Sequence, residues 1–371
     1  MWIPWVALLG ALLSVAAGDA APGHLRFDRQ GNFKIVQFTD LHYGEDAELD
    51  VKSDQVQQAV LHSEQPSLVL FSGDMVSGFA WDRRSPGWFA ERWRQLTAPV
   101  QAARTPYAVG LGNHDAEADL SRASIIALDA GSSSLSLTQH GPGNITGAGN
   151  YYLDVYDADG KEVKARIWVL DSMERGCGPV TVGWGCVAKD TVQWMRQAAA
   201  ALPRVPSLAF VHIPIPQFLG VWNEQPTLGS KEEGVNCPLI DTGVFSAFSE
   251  AGVAAVYSGH DHNNDYIGNL QGVRLAYGRK SGYGCYGPPE GWLRGARVIL
   301  LKEGGDPSKS ETWIRQEDGS RDDQRPTPED AKATTRQYTC SGDEFETFIT
   351  VPASSQWPDA AIGPGGPGAE A

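Results

Sequence analysis

Five short apolar runs in this chain end in polar residues of the same few kinds. FKIVQFT (33–39) leads into Asp40 and His42, and SLVLFSG into Asp74. YAVGLG (107–112) leads into Asn113, His114 and Asp115, SLAFV (207–211) into His212, and VAAVYSG (253–259) into His260 and His262. Aspartate, asparagine and histidine supply oxygen and nitrogen donors without sulfur, a set suited to zinc, iron or manganese. A carboxylate in such a set can bridge two ions. Two ions about 3.5–4 Å apart clamp the attacking and leaving oxygens of a phosphoryl displacement. They also draw the pKa of a bound water toward neutrality, which provides hydroxide at mild pH. Five of the eight histidines belong to this set, so the chemistry is concentrated rather than scattered.

Residues spread from position 40 to position 262 meet only if the fold gathers the ends of several strands. Open α/β sheets do this, because their ligand sites lie beyond the carboxyl ends of the strands. The rest of the pattern agrees. Val56, Val60 and Leu61 sit at helical spacing within 51–64, and the Trp-rich stretch 88–96, residues 190–202 and residues 243–251 also suit helices. YYLDVYD (151–157) and KARIWVLD (164–171) read as a hairpin around Asp159-Gly160. VRLAYG, ARVILL and ETWIRQ continue as strands, whereas 116–149 is Ser/Gly-rich and shows no clear period. Helices between early strands and mostly strands later predict a sheet sandwich with helices outside.

The formal net charge of −15 disfavours nucleic acid and anionic membranes as partners. A phosphate substrate must then be attracted locally, which a metal cluster can do. Residues 2–18 (WIPWVALLGALLSVAAG) are apolar, short for a membrane span and followed by small residues. They read as a signal peptide within 1–20, or as an uncleaved signal anchor. No other stretch is apolar enough to span a membrane, so secretion or vacuolar delivery is expected. Residues 30–318 carry the domain, and 319–371 read as a polar, Pro/Gly-rich tail. The five cysteines lack CxxC spacing, which argues against a thiolate zinc site. Cys177 and Cys186 flank a Gly-rich stretch and could close a short loop. The one N-x-S/T sequon, at Asn144, offers a glycosylation site.

The ordered set D-x-H, G-D, G-N-H-D, H and G-H-x-H resembles the calcineurin-like metallophosphoesterase superfamily. VHIPIPQF, GHDHNND and GRKSGYGCYG look like its purple acid phosphatase-related branch of plants and fungi. The resemblance runs from about Phe33 to Ile314. It implies an α/β metallophosphatase fold, a four-layer sandwich of two mixed β-sheets flanked by helices. It implies two divalent or trivalent metal ions, Fe, Zn or Mn. Asp40, His42 and His262 would hold the first, Asp74 would bridge, and Asn113, His212 and His260 would hold the second. His114 would face the substrate and assist the leaving group, and Asn113 would also touch the substrate. Purple members carry an iron-binding tyrosine three residues after the bridging aspartate; here that position is Ser77. A centre that is not purple is therefore expected, and the first metal need not be Fe(III).

Other residues carry two readings each. Asp115 either orients His114 or caps a loop. Trp81, Trp88 and Trp93 are a substrate wall or core packing. Asn263, Asn264 and Asp265 fix the histidine rings or only shape a turn. Arg279, Lys280 and Tyr283 lie in a Gly-rich loop; Arg279 and Tyr283 are candidate substrate contacts, unless the glycines merely turn the chain. The expected reaction is phosphomonoester hydrolysis, of phosphoproteins among other substrates, by metal-bound hydroxide. A phosphodiesterase using the same centre and an inactive binding protein are the alternatives.

Overall fold

A computed structural model describes residues 24–340. The expected leader and residues 341–371 lie outside the described residues. Two large sheets stack face to face. The first has six strands in the order β16-β15-β14-β2-β3-β4: β2 (Asn32–Phe38), β3 (Leu68–Ser72), β4 (Tyr107–Gly110), β14 (Gly295–Lys302), β15 (Glu311–Gln316) and β16 (Arg321–Asp322). The second has eight, in the order β1-β5-β6-β9-β11-β13-β12-β10. These are β1 (Leu25–Arg26), β5 (Tyr151–Tyr156), β6 (Val163–Leu170), β9 (Ser207–Val211), β10 (Thr227–Leu228), β11 (Val253–Ser258), β12 (Ile267–Leu270) and β13 (Val273–Tyr277). A small hairpin joins β7 (Arg175–Cys177) to β8 (Val180–Trp184).

β2, β3 and β4 pair in parallel, as do β6, β9, β11 and β13. Within each sheet these strands therefore end on one side. Every residue of β3, β4 and β9 is buried, which is why they read as continuous apolar runs rather than alternating ones. Between the sheets, Ile35, Leu68 and Leu70 pack with Ile167, Leu208 and Phe210. On the outer face of the first sheet lie α1 (Ala47–Glu64), α2 (Trp88–Ala102) and α3 (Arg122–Ser132), with Val60, Phe89 and Leu96 in the same cluster as Val36 and Phe71. On the outer face of the second lie α4 (Lys189–Ala201), α5 (Gln217–Glu224) and α6 (Val244–Glu250), whose Met195, Phe218 and Phe248 join Trp168, Val211 and Val256. The result is the four-layer sandwich of two mixed sheets flanked by helices.

Trp88 and Trp93 are core residues, and the Trp93 indole donates to Asp129. Trp81 packs against the same cluster. None of the three is needed as a substrate wall. The chain also stays in the fold beyond residue 318. β16 pairs with β15, α7 (Glu329–Thr334) follows, and Cys340 is bonded to Cys237. A two-residue strand and a cross-link need no apolar run, so polar composition alone reads as a tail there. Cys177 and Cys186 are joined across the β7–β8 hairpin, and Cys285 is free.

Candidate metal centre

The predicted ligands sit where the parallel strands end and the chain turns sharply. Asp40, His42, Asp74 and His260 all have positive φ, between 52° and 76°. Non-glycine residues in that region are strained and persist only where surrounding structure enforces them. The motif glycines make room for this. A Cβ on Gly73, itself at φ 102°, would meet His212 Nδ1 at 2.4 Å, and one on Gly112 would meet Asp74 N at 2.2 Å. The glycines before Asp74 and Asn113 thus allow two strand ends to approach a third.

Donor atoms from all five strand ends converge. His212 Nε2 is 3.1 Å from Asp74 Oδ2 and 3.1 Å from Asn113 Oδ1. His262 Nε2 is 3.4 Å from Asp40 Oδ1 and 3.2 Å from His42 Nε2. His42 Nε2 is 3.8 Å from Asp74 Oδ2, and His260 groups with Asp74 and His212 within 4.8 Å. All seven predicted ligands are therefore brought together, and all are buried. The donor chemistry fits metal ions. Two imidazole nitrogens face each other, and His260 Nε2 is buried without a hydrogen-bond partner, an arrangement costly unless a cation takes the lone pairs. Burial lowers the His260 imidazole to about 3, so it stays neutral and able to ligate.

Three of the four histidine rings, those of His212, His262 and His42, are aimed by the far nitrogen. His212 Nδ1 lies 2.9 Å from the Ser72 carbonyl and His262 Nδ1 2.8 Å from the Tyr286 carbonyl. His42 Nδ1 lies 2.8 Å from Ser77 Oγ, whose hydroxyl donates to Glu45. Such outer partners fix the tautomer and leave Nε2 for the ion. Position 77 thus carries a hydroxyl that orients His42. Lys280 Nζ donates to the carbonyls of Asp40 and Gly284 and braces the first turn.

His114 stands beside the cluster, its ring centroid 5.7 Å from that of His42 and its side chain one quarter exposed. Its Nδ1 is 2.7 Å from Glu117 Oε2. Desolvation pulls this imidazole down, but the Asp74 charge and the Glu117 hydrogen bond outweigh it, and the balance lies at about 9. Asp115 does not orient the ring. Its carboxylate accepts from the amides of Gly112, Asp74, Met75 and Val76 and so locks two strand ends together. Sequence reasoning passed over Glu117, although i,i+3 spacing from His114 was a usable signal.

Two expected substrate contacts are engaged elsewhere. Arg279 is buried against Asp265 and Asp322, with Trp292 under its guanidinium, and lines a cavity of about 510 Å³ that includes none of the seven ligands. Tyr283 donates to Glu317 and carries Arg294 over its ring. Both hold the loop in shape: Asp265, Asp322 and Glu317 supply carboxylates that the sequence pattern did not pair with them. Asn263, Asn264 and Asp265 hydrogen-bond to the 230–233 loop, which favours turn chemistry. A sulfur was also missed. Cys285 groups with His42 and His262 within 4.8 Å and has φ 57°, although it belongs to no recognisable cysteine motif.

A family model described as calcineurin-like phosphoesterase matches residues 33–264. An Arabidopsis thaliana protein named probable inactive purple acid phosphatase 28 is 32% identical over 327 residues, covering 78% of this chain and 79% of its own. Phosphatase DCR2 of Saccharomyces cerevisiae is 29% identical over 276 residues, covering 67% of this chain and 47% of its own. A dimetal phosphatase from Danio rerio has a similar fold, with a TM-score of 0.51 at 16% identity over 80% of this chain and 98% of that one.

Proposed function

The chain belongs to the calcineurin-like phosphoesterase family, in its purple acid phosphatase-related branch, and from that premise we propose that it hydrolyses phosphate monoesters at a dinuclear metal centre. Asp40, His42 and His262 would hold one ion, Asp74 would bridge, and Asn113, His212 and His260 would hold the other. Bound there, a pair of Fe, Zn or Mn ions supplies Lewis-acid activation of water and neutralises charge on the phosphoryl group. Asn113 would also orient the substrate beside the centre.

The observation that carries the reading is His114. It stands at the cluster, open to solvent on one side where the ligands are closed, and Glu117 holds Nδ1. Nε2 is then free to give a proton to the departing oxygen. The Glu117 carboxylate at Nδ1 favours the protonated ring that this task needs. Two disulfides and an exposed Asn144 sequon favour a secretory route, outside the cell or to a vacuole. Among the described residues no helix is long and apolar enough to cross a membrane.

The test is hydrolysis of nitrophenyl phosphate against its bis-ester by metal-loaded protein. Faster monoester turnover supports the proposal, and faster bis-ester turnover moves the protein to the diesterases. One finding favours a second reading. Relatives such as the Arabidopsis protein carry the name probable inactive, and a silent phosphate-binding protein would bind two metals and turn over neither ester.

A further inference from the structure

Among the described residues, three aromatic side chains stand out as exposed: Phe79, Tyr286 and Tyr338. Two of them lie against the metal centre. The Phe79 ring meets His114 edge-on at 5.0 Å between centroids and lies 6.5 Å from His42, yet is 50% exposed. The Tyr286 ring stacks on His262 at 4.1 Å and 24° and is 48% exposed.

Both residues are tied to the site. Phe79 rides on the single turn Gly78–Ala80, whose Gly78 N–H donates to the His114 carbonyl at 3.2 Å. A Cβ on Gly78 would meet that carbonyl oxygen at 2.4 Å, so the turn is pressed against the His114 loop. Tyr286 is pinned at both ends: its hydroxyl donates to Glu233, and its carbonyl faces His262 Nδ1 at 2.8 Å. Neither ring is a ligand, and neither is needed to fill the core. Fixed aromatic faces left partly in water at a polar site are surfaces awaiting an apolar, planar group. The leaving group must lie beside His114 if that residue protonates its oxygen, and Phe79 is the side chain that borders this place.

We propose that Phe79 and Tyr286 are the two walls of a leaving-group subsite, and that the protein prefers phosphate monoesters of aromatic alcohols and phenols to those of aliphatic alcohols. This inference rests on the monoesterase reading, which it extends to a substrate class. The hydrolysis itself is unchanged: the P–O bond to the leaving group breaks, the oxygen of water bonds to phosphorus, the leaving alkoxide or phenoxide oxygen takes a proton from His114, and the proton that the attacking water sheds restores the ring through solvent.

The test compares benzyl phosphate with ethyl phosphate, whose leaving alcohols are similarly acidic, so that binding rather than bond cleavage decides. The ratio of kcat/KM should favour benzyl phosphate by about 10-fold or more. Phe79→Ala and Tyr286→Ala should each bring that ratio toward one, mainly through KM, while Tyr286→Phe should keep it. Phe79→Leu repeats the test with a smaller change in volume. A wild-type ratio near one, or a ratio unmoved in the alanine variants, overturns the inference and leaves the monoesterase reading intact. If neither ester is turned over, that reading fails. Binding of benzylphosphonate against ethylphosphonate to metal-loaded protein then decides the subsite: tighter benzylphosphonate supports it, and equal affinity overturns it.

Discussion

His114 Nδ1 lies 2.7 Å from a carboxylate oxygen of Glu117, three residues further along the same tight turn. The pairing aims one ring nitrogen at the carboxylate and frees the other, and it raises the affinity of the ring for a proton. His114→Ala should lower kcat by about 10²–10⁴-fold, the usual worth of a positioned proton donor, with metal content unchanged. Glu117→Gln should cost less, about 10-fold. It should also move the alkaline limb of the rate profile to lower pH. The sign follows because the Glu117 charge holds the proton on the ring, so its loss lets the acid form disappear sooner. A pH–rate profile of the two proteins checks both statements.

Ser77 links His42 to Glu45. Ser77→Ala removes the hydroxyl that orients a ligand ring, and should weaken the first metal by about 10–100-fold. Titration with a competing chelator reads this directly. With a serine at position 77, the iron-loaded wild type should also show no tyrosinate band in the visible spectrum.

Arg122 reaches from α3 to the metal side of the sheet. Its guanidinium pairs with Asp171, with Nε 2.9 Å from Oδ2, and donates to the carbonyl of Gly112 beside Asn113. Arg122 and Asp171 are both buried. Arg122→Ala leaves a carboxylate without its counter-charge and should destabilise the protein by about 3–5 kcal/mol, visible in denaturant unfolding. Asn113 should then also be held less firmly.

Much of the site was readable because its ligands follow directly on parallel strands buried on both faces. Asp40, Asp74, Asn113, His212 and His260 each come within three residues of the end of such a strand, so locating the strands located the candidate ligands. Contacts made across loops were not readable. Arg279 and Tyr283 looked like phosphate contacts from their place in a Gly-rich loop, yet Asp265 and Glu317 claim them, and nothing in local sequence pairs those residues. α3 was hidden in a Ser/Gly-rich stretch, although Ser121 caps it by accepting from Ser124 N. The Cys237–Cys340 bond spans 103 residues, a separation from which no pairing can be read.

Asp50 offers a pH test away from the centre. Burial raises its carboxyl to about 6, although the amide of Gly44 donates to it. The folded state then keeps this proton to about pH 6, while the unfolded chain releases it near 4. Stability should therefore fall as pH rises through that window. Asp50→Asn keeps an acceptor for Gly44 and removes the buried charge. It should stabilise the protein at pH 7 by about 1 kcal/mol, reduced from the full effect by solvent screening, and leave it unchanged at pH 3.5. Urea unfolding at the two pH values measures the difference.

The central claim is a metal-dependent phosphomonoesterase, and the most direct measurement is nitrophenyl phosphate turnover together with metal content, before and after chelation. Two ions per chain, loss of turnover on their removal and recovery on adding back Zn, Mn or Fe is the expected result. Turnover that survives complete removal of metal, or a chain fully loaded with two ions that hydrolyses no monoester, would contradict it.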